Sequence, residues 1–142
     1  IIDWHSKKIL SYKISNTMDS KLVIEVLTEA LNNYGTPEIF NTDQGSQYTS
    51  SDHTDLLLKH DIKISMDGKG RATDNIAIER FWRSAKYENI YIQEFKTIKE
   101  IKCSMNEYIS FYNNNRFHQT LNYQKPADVY NNSIAEQLRR VA

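Results

Sequence analysis

Residues 20–45 read SKLVIEVLTEALNNYGTPEIFNTDQG, and the fold is decided in this stretch. Leu22, Val23, Val26, Leu27, Ala30, Leu31 and Tyr34 recur at helical spacing with one apolar stripe, which predicts a helix over about 20–34. Asp19 stands where an N-cap belongs and Gly35 where a helix stops, with Pro37 just beyond. Glu38-Ile39-Phe40-Asn41 then reads as a short strand that runs into an acidic turn, Asp43-Gln44-Gly45. Open α/β sheets place their ligands at the C-terminal ends of strands, where Asp43 stands.

The pattern continues on both sides. Residues 1–16 read as two short strands: Ile1, Ile2 and Trp4, then a polar turn His5-Ser6-Lys7-Lys8, then Ile9, Tyr12 and Ile14. A second helix fits 51–60, capped by Ser50 or Ser51 and carrying Leu56 and Leu57, and Lys63-Ile64-Ser65-Met66 is another short strand. Residues 67–73 read as a polar loop. A third helix starts at Asp74 or Asn75 and runs to about 89. A fourth starts at Thr97, in a capping box with Glu100, with an apolar stripe of Ile98, Ile101, Met105, Tyr108, Ile109 and Tyr112. Pro126 suits the first position of a short final helix. Short strands alternating with helices of this length argue for a three-layer α/β/α domain with a mixed sheet, over residues 1–130, followed by a tail at 131–142.

Composition narrows the function classes. The 142 residues carry 18 basic and 18 acidic side chains, 39% hydrophobic and 25% charged residues, which is a globular balance and not a disordered one. No apolar run approaches the roughly 20 residues of a membrane span. The single Cys103 excludes an internal disulfide and a cysteine-rich zinc site, fits a reducing compartment, and reads as a half-buried helix residue. His5, His53 and His60 show no metal-ligand spacing. A net charge of zero excludes a wholly basic, histone-like protein, but nucleic acid responds to local charge. Residues 69–86 supply that charge: Lys69, Arg71, Arg80, Arg83 and Lys86 against Asp74 and Glu79, a local net charge of +3 that suits a phosphate backbone. The chain opens on Ile1-Ile2-Asp3 without Met, as though in mid-strand, so it is expected to be the later part of a longer protein.

Two segments carry the candidate chemistry. In Asn41-Thr42-Asp43-Gln44-Gly45-Ser46-Gln47-Tyr48, Asp43 is either an Asx-turn that ends the strand or an acid presented to a ligand. In the helix after Asp74, the residues Ala77, Ile78, Phe81, Trp82 and Ala85 form a buried stripe. Asn75, Glu79, Arg83 and Lys86 share the opposite face. Glu79 there is either one half of an ordinary surface pair with Arg83 or a second site carboxylate. Asn75 is either the helix cap or a residue that orients Glu79.

Thirty-five residues lie between Asp43 and Glu79. With this spacing, Asp43-Gln44-Gly45-Ser46-Gln47-Tyr48 and Ile78-Glu79-Arg80-Phe81 resemble the last two carboxylates of the DDE transposases and retroviral-type integrases. Ser65-Met66-Asp67-Gly68-Lys69-Gly70 followed by Asp74-Asn75-Ile76-Ala77-Ile78-Glu79 is similar to bacterial insertion-sequence transposases made from two overlapping reading frames. Phe111-Tyr112-Asn113-Asn114-Asn115-Arg116-Phe117-His118-Gln119-Thr120-Leu121, with Lys125-Pro126-Ala127, resembles the C-terminal signature of the same group.

The resemblance implies a ribonuclease H-like fold, with a five-stranded mixed sheet between helices. It implies that Asp43 and Glu79 are catalytic and, with an earlier Asp, hold two Mg²⁺ or Mn²⁺ ions. Hard cations take carboxylate oxygens, and two of them about 4 Å apart assist an in-line displacement at phosphorus. The family uses this twice: water frees a 3′-hydroxyl at the element's end, and that hydroxyl attacks target DNA. The resemblance further implies DNA as partner (transposon ends and target), homo-oligomers, and the bacterial cytoplasm. It places Lys69 and Arg71 in an active-site flap, and Arg116 and His118 near the active site or DNA, where a structural hydrogen-bonding role is equally open; Arg83 and Lys86 are expected to contact DNA because they share the helix face with Glu79.

This sequence departs from the family at one place. The first carboxylate would lie on a central strand before Ile1, so the expectation is an N-terminally truncated, inactive core whose sheet lacks that strand and is split or completed by another segment. Asp3 is read as a turn residue capping His5-Ser6 and not as a replacement ligand. Two rival readings stand beside the transposase core: a non-catalytic remnant that keeps the fold and DNA binding, and a ribonuclease acting on RNA–DNA hybrids.

Overall fold

The computed structural model describes residues 1–17, 19–66 and 75–141; the expected loop 67–73, with Lys69 and Arg71, lies outside them. Two compact units divide the chain. One comprises Ile1 and Leu10–Glu79, the other Ile2–Ile9 and Arg80–Ala142.

The first unit is a helix–strand–helix–strand run. Helix α1 (Ser20–Tyr34) is capped by Asp19, whose Oδ1 accepts from the Lys21 amide at 3.0 Å. It ends where Gly35, at φ +80°, donates to the Leu31 carbonyl, a left-handed conformation that favours glycine. Strands β1 (Ile39–Thr42) and β2 (Lys63–Met66) pair in parallel, with Ile39 opposite Lys63 and Thr42 opposite Met66. A parallel pair needs a crossover, and helix α2 (Ser51–Lys59) supplies it. Leu27, Leu31, Leu57 and Ile62 form the buried core, with Ile1, Phe40, Leu56 and Ile64 packed against it. Each such side chain contributes about 1.5–3 kcal/mol on burial.

Helix α3 (Ile76–Ala85) begins at Asn75, whose carbonyl accepts from the Glu79 amide at 3.1 Å, so Asn75 occupies the cap position. The division between the units falls inside this helix, after Glu79. The expected α-helix to residue 89 stops at Ala85. Lys86–Ile90 form a π-helical turn closed by the Tyr91 amide on the Lys86 carbonyl at 2.8 Å. The wider turn coincides with anchored side chains. Asn89 is buried, accepting from Ser104 and Gln93, and Glu88 is held by Tyr108 and Arg116.

The second unit packs the part of α3 after Glu79 and the π-turn with α4 (Ile98–Asn114), a 3₁₀ turn (Gln119–Leu121) and α5 (Pro126–Val141). Thr97 caps α4 by accepting from the Glu100 amide at 3.2 Å; Glu100 reaches back to the Lys96 amide, one residue before the expected partner. Of the expected stripe, Met105, Tyr108, Ile109 and Tyr112 are buried, Ile101 is half-buried, and Ile98, at the start of the helix, is exposed; Phe81 meets Tyr112 edge-on at 5.0 Å.

Four expectations are corrected here. Trp82 is 40% exposed, because Ala77, Phe81 and Ala85 take the inner line of α3 and leave Trp82 on its flank. Cys103 is exposed on α4. The last helix starts at Pro126 as expected but is sixteen residues long, not short. Residues 1–16 form one antiparallel bridge, Ile2 to Ile9, instead of two strands. Asp3 tightens this turn, its Oδ2 accepting from the Ser6 amide at 2.7 Å and the Ser6 hydroxyl at 2.6 Å, as a capping residue would. The Asn113 side chain takes both backbone groups of Ile9, where a further strand would pair. No helix among the described residues is long and apolar enough to cross a membrane.

Candidate active site

Asp43 stands one residue past β1, exposed, at the C-terminal end of a parallel strand. Its Oδ1 accepts from the Gly45 amide at 2.9 Å, an Asx-turn, so the turn reading of this residue is realised in the geometry. Among the described residues, that leaves Oδ2 and the outward lone pairs of the carboxylate open to a ligand. Glycine leaves room for this pose of the carboxylate. A Cβ at residue 45 would lie 2.9 Å from Asp43 Oδ1, 3.1 Å from Gln47 Oε1 and 3.3 Å from Tyr48 Cδ2. The Gly45 carbonyl accepts from the amides of Tyr48 and Thr49, which rolls the chain toward α2. Burial, and then the nearby charge of Asp43, pushes the Tyr48 hydroxyl's pKa up. Just before Asp43, the buried Thr42 hydroxyl has no hydrogen-bond partner among the described residues.

Glu79 is exposed in the first turn of α3 and belongs to the same compact unit as Asp43. Arg83, in the last turn of α3, and Lys86, opening the π-turn, are exposed and belong to the other unit. Lys69 and Arg71 lie outside the described residues. Among the described residues no group of three or more His, Cys, Asp or Glu is placed to hold a metal ion. The donor chemistry at Asp43 still fits a hard divalent cation, which asks for one or two carboxylates and fills its shell with water and phosphate.

Arg116 and His118 are brought together, around a residue that sequence reasoning did not single out. Arg116 grips Glu88 with both arms of its guanidinium, Nε to Oε2 at 2.9 Å and Nη2 to Oε1 at 2.6 Å. Tyr108 donates to Glu88 Oε2 at 2.8 Å, and His118 Nε2 lies 3.4 Å from Arg116 Nη1. The His118 ring meets Tyr112 edge-on at 4.7 Å. The arginine bond holds the Glu88 carboxyl below its usual range. Burial, then the Arg116 charge, pushes His118 down to about 4. Tyr112 is pushed up to about 12, chiefly by burial. Such contacts are of the kind a structural role for Arg116 and His118 calls for. Glu88 escaped notice because its partner lies 28 positions away and a π-turn, invisible to helical periodicity, aims it.

Residues 1–72 match the family model described as an integrase core domain, and residues 60–126 match a second model with the same description. The chain belongs to the integrase core domain family. Among its members, this core is 32% identical over 133 residues to the putative transposase InsK for insertion sequence element IS150 of Escherichia coli (strain K12), covering 92% of this chain and 47% of that protein. It is 37% identical over 130 residues to the transposase for insertion sequence element IS904 of Lactococcus lactis subsp. lactis (strain IL1403), covering 89% of this chain and 51% of that protein. The chain thus spans about half the length of the curated relatives it matches. In fold, the integrase core resembles the HTLV-2 integrase catalytic core domain solved in complex with magnesium. The dimeric form gives a TM-score of 0.58 at 17% identity over 90% of this chain and 79% of the other. The trimeric form gives 0.61, also at 17% identity, over 90% and 80%. The ribonuclease H-like fold class is therefore the one the sequence predicts, here as a mixed α/β chain with a small parallel sheet.

Proposed function

We propose that this chain is the catalytic core segment of a bacterial insertion-sequence transposase that works in the cytoplasm on transposon ends and target DNA. The observation that carries the reading is the Asp43 turn: an exposed carboxylate, fixed by the Gly45 amide at the end of a parallel strand, in an integrase-core chain. In this reading Asp43 and Glu79 hold Mg²⁺ or Mn²⁺. Bound there, the ions would polarise the attacked phosphate and the attacking oxygen. The whole protein first lets water open a phosphodiester at the element's end. The freed 3′-hydroxyl then displaces an oxygen at a target phosphate.

The remaining site residues bind and orient. In this reading the exposed Arg83 and Lys86 take DNA phosphates, and so do Lys69 and Arg71. Of the two roles open to Arg116 and His118, DNA contact or structural support, we assign the structural one, because the guanidinium is already closed on Glu88 and the imidazole is packed on Tyr112. The protein acts as a homo-oligomer, since two DNA ends must be joined to one target.

The test is strand transfer with Mn²⁺ by the longer protein that contains this chain. Asp43→Asn and Glu79→Gln should each abolish cutting and joining while leaving the melting temperature within a few degrees. Joining at the wild-type rate by either variant would sink the assignment. Wild-type DNA binding without cutting would favour the non-catalytic remnant.

A further inference from the structure

Outside the residues already assigned, the most fully buried titratable side chain among the described residues is His53, in the first turn of α2. It is 1% exposed, although neighbouring Asp52 and Asp55 are in solvent. Its ring fills the space between Phe40 of β1, with centroids 5.9 Å apart, and Tyr48 of the Asp43 loop, at 5.5 Å. Its Nδ1 lies 3.1 Å from the Tyr48 carbonyl oxygen. A carbonyl can only accept, so this contact is a hydrogen bond only if Nδ1 carries the hydrogen.

We propose that His53 is a positioning residue for the Asp43 turn: its Nδ1–H holds the Tyr48 carbonyl and so fixes the loop that presents the Asp43 carboxylate. Consecutive bonds connect the two ends. The Gly45 amide donates to Asp43 Oδ1, the Tyr48 amide donates to the Gly45 carbonyl at 2.9 Å, and His53 donates to the Tyr48 carbonyl. Because the same ring also packs on Phe40, three residues before Asp43, it ties the strand and the loop on either side of the acid to α2. The turn itself is exposed at Asp43 and Gln44, and local backbone bonds of this kind open readily without an anchor in the core. Burial pushes the pKa of His53 down, opposed by its bond to the Tyr48 backbone, and this keeps the ring neutral with one hydrogen to place. A space-filling aromatic would satisfy the packing but not the carbonyl.

The inference deepens the catalytic reading and rests on it only for its consequence at the metal; the positioning itself is tested apart from activity. In the ¹⁵N-labelled 142-residue chain, the imidazole nitrogens of His53 should show a protonated Nδ1 and a bare Nε2. His53→Phe keeps a ring and loses the donor. Amide exchange at Gly45 and Tyr48 should then accelerate about tenfold, the change expected for one lost hydrogen bond, while the Leu31 amide in α1 is unchanged. His53→Asn returns a donor near the Nδ1 position and should restore most of the protection. A bare Nδ1 in the wild type, or wild-type protection at Gly45 in His53→Phe, overturns the proposal. If His53→Phe fails to fold, His53→Asn decides: protection at Gly45 supports the proposal, and fast exchange there in a folded chain overturns it.

The consequence is read with Mn²⁺. The Gly45 resonance should broaden in the wild type at several-fold less Mn²⁺ than in His53→Phe, with Asp43→Asn as the control. Equal broadening of wild type and Asp43→Asn would defeat the reading of Asp43 as a metal-holding group. The tautomer and the exchange rates would still decide the role of His53.

Discussion

Asn113 and Ile9, 104 positions apart, exchange two hydrogen bonds of 2.9 Å: Asn113 Oδ1 accepts from the Ile9 amide and Asn113 Nδ2 donates to the Ile9 carbonyl. A side-chain amide here does what the backbone of a neighbouring strand would do. Both residues are buried, so neither backbone group of Ile9 has water as an alternative. Asn113→Ala should therefore cost about 2–4 kcal/mol, the penalty of two buried polar groups left unpaired. Thermal unfolding measures it, and a loss below about 0.5 kcal/mol would show that the pair is dispensable.

The Glu88–Arg116 pair is partly exposed, with side chains 36% and 27% accessible, so solvent screens it. Its coupling in a double-mutant cycle of Glu88→Ala and Arg116→Ala should be about 1 kcal/mol, more than an exposed pair because the fork is bidentate. Arg116→Lys should recover little of it, since an ammonium cannot grip both carboxylate oxygens.

Acid should weaken the second unit in a defined window. His118 titrates at about 4 in the fold against 6.5 ordinarily, so between these values the unfolded chain binds more protons. Stability then rises with pH through that window and falls as pH is lowered through it. Glu88, held below its ordinary 4.5, contributes in the same sense: its stabilisation is present above that value and is lost as pH falls below it. Denaturation at pH 7, 5.5 and 4.5 should show a declining midpoint, with a shallower decline in His118→Gln. An equal slope in the variant would remove His118 from the account.

Thr42 carries a buried hydroxyl with no partner among the described residues. Thr42→Val replaces it with a methyl of the same shape and should stabilise the chain by about 1 kcal/mol in chemical denaturation. A clear loss of stability would mean that the hydroxyl is bonded after all.

Gly45→Ala puts a carbon 2.9 Å from Asp43 Oδ1, so the carboxylate must turn away. Weaker Mn²⁺ broadening at residues 43–47 is expected, with a melting temperature changed by only a few degrees. Undiminished broadening would separate the metal from the observed pose of Asp43.

Much of this fold is written locally. Asp19 and Gly35 bound α1, and a single apolar stripe places Leu27 and Leu31 in the core, so periodicity and caps suffice. The helix boundaries at Asn75 and Thr97 follow from the same chemistry. What escaped is non-local or off-period. Periodicity counted Trp82 as core because it cannot tell the centre of an apolar stripe from its edge. It carried α3 past Ala85 because the π-turn depends on where Glu88 and Asn89 find partners. Two strands were expected near the N-terminus, where side chains of Asp3 and Asn113 claim the backbone instead. At the candidate site, the Asp-x-Gly turn is legible, whereas His53 shows in the sequence only that it lacks metal-ligand spacing and gives no sign that its ring is sealed inside.

The π-turn makes length, not only identity, matter between residues 86 and 90. It accommodates one residue more than an α-helical turn. Dropping a single position there would leave a smooth α-helix and swing every later side chain by about 100° around the axis. Glu88 would then face away from its arginine, and Asn89 would leave the interior. Lineages descended from this chain should tolerate changes of letter in that stretch far better than changes of count.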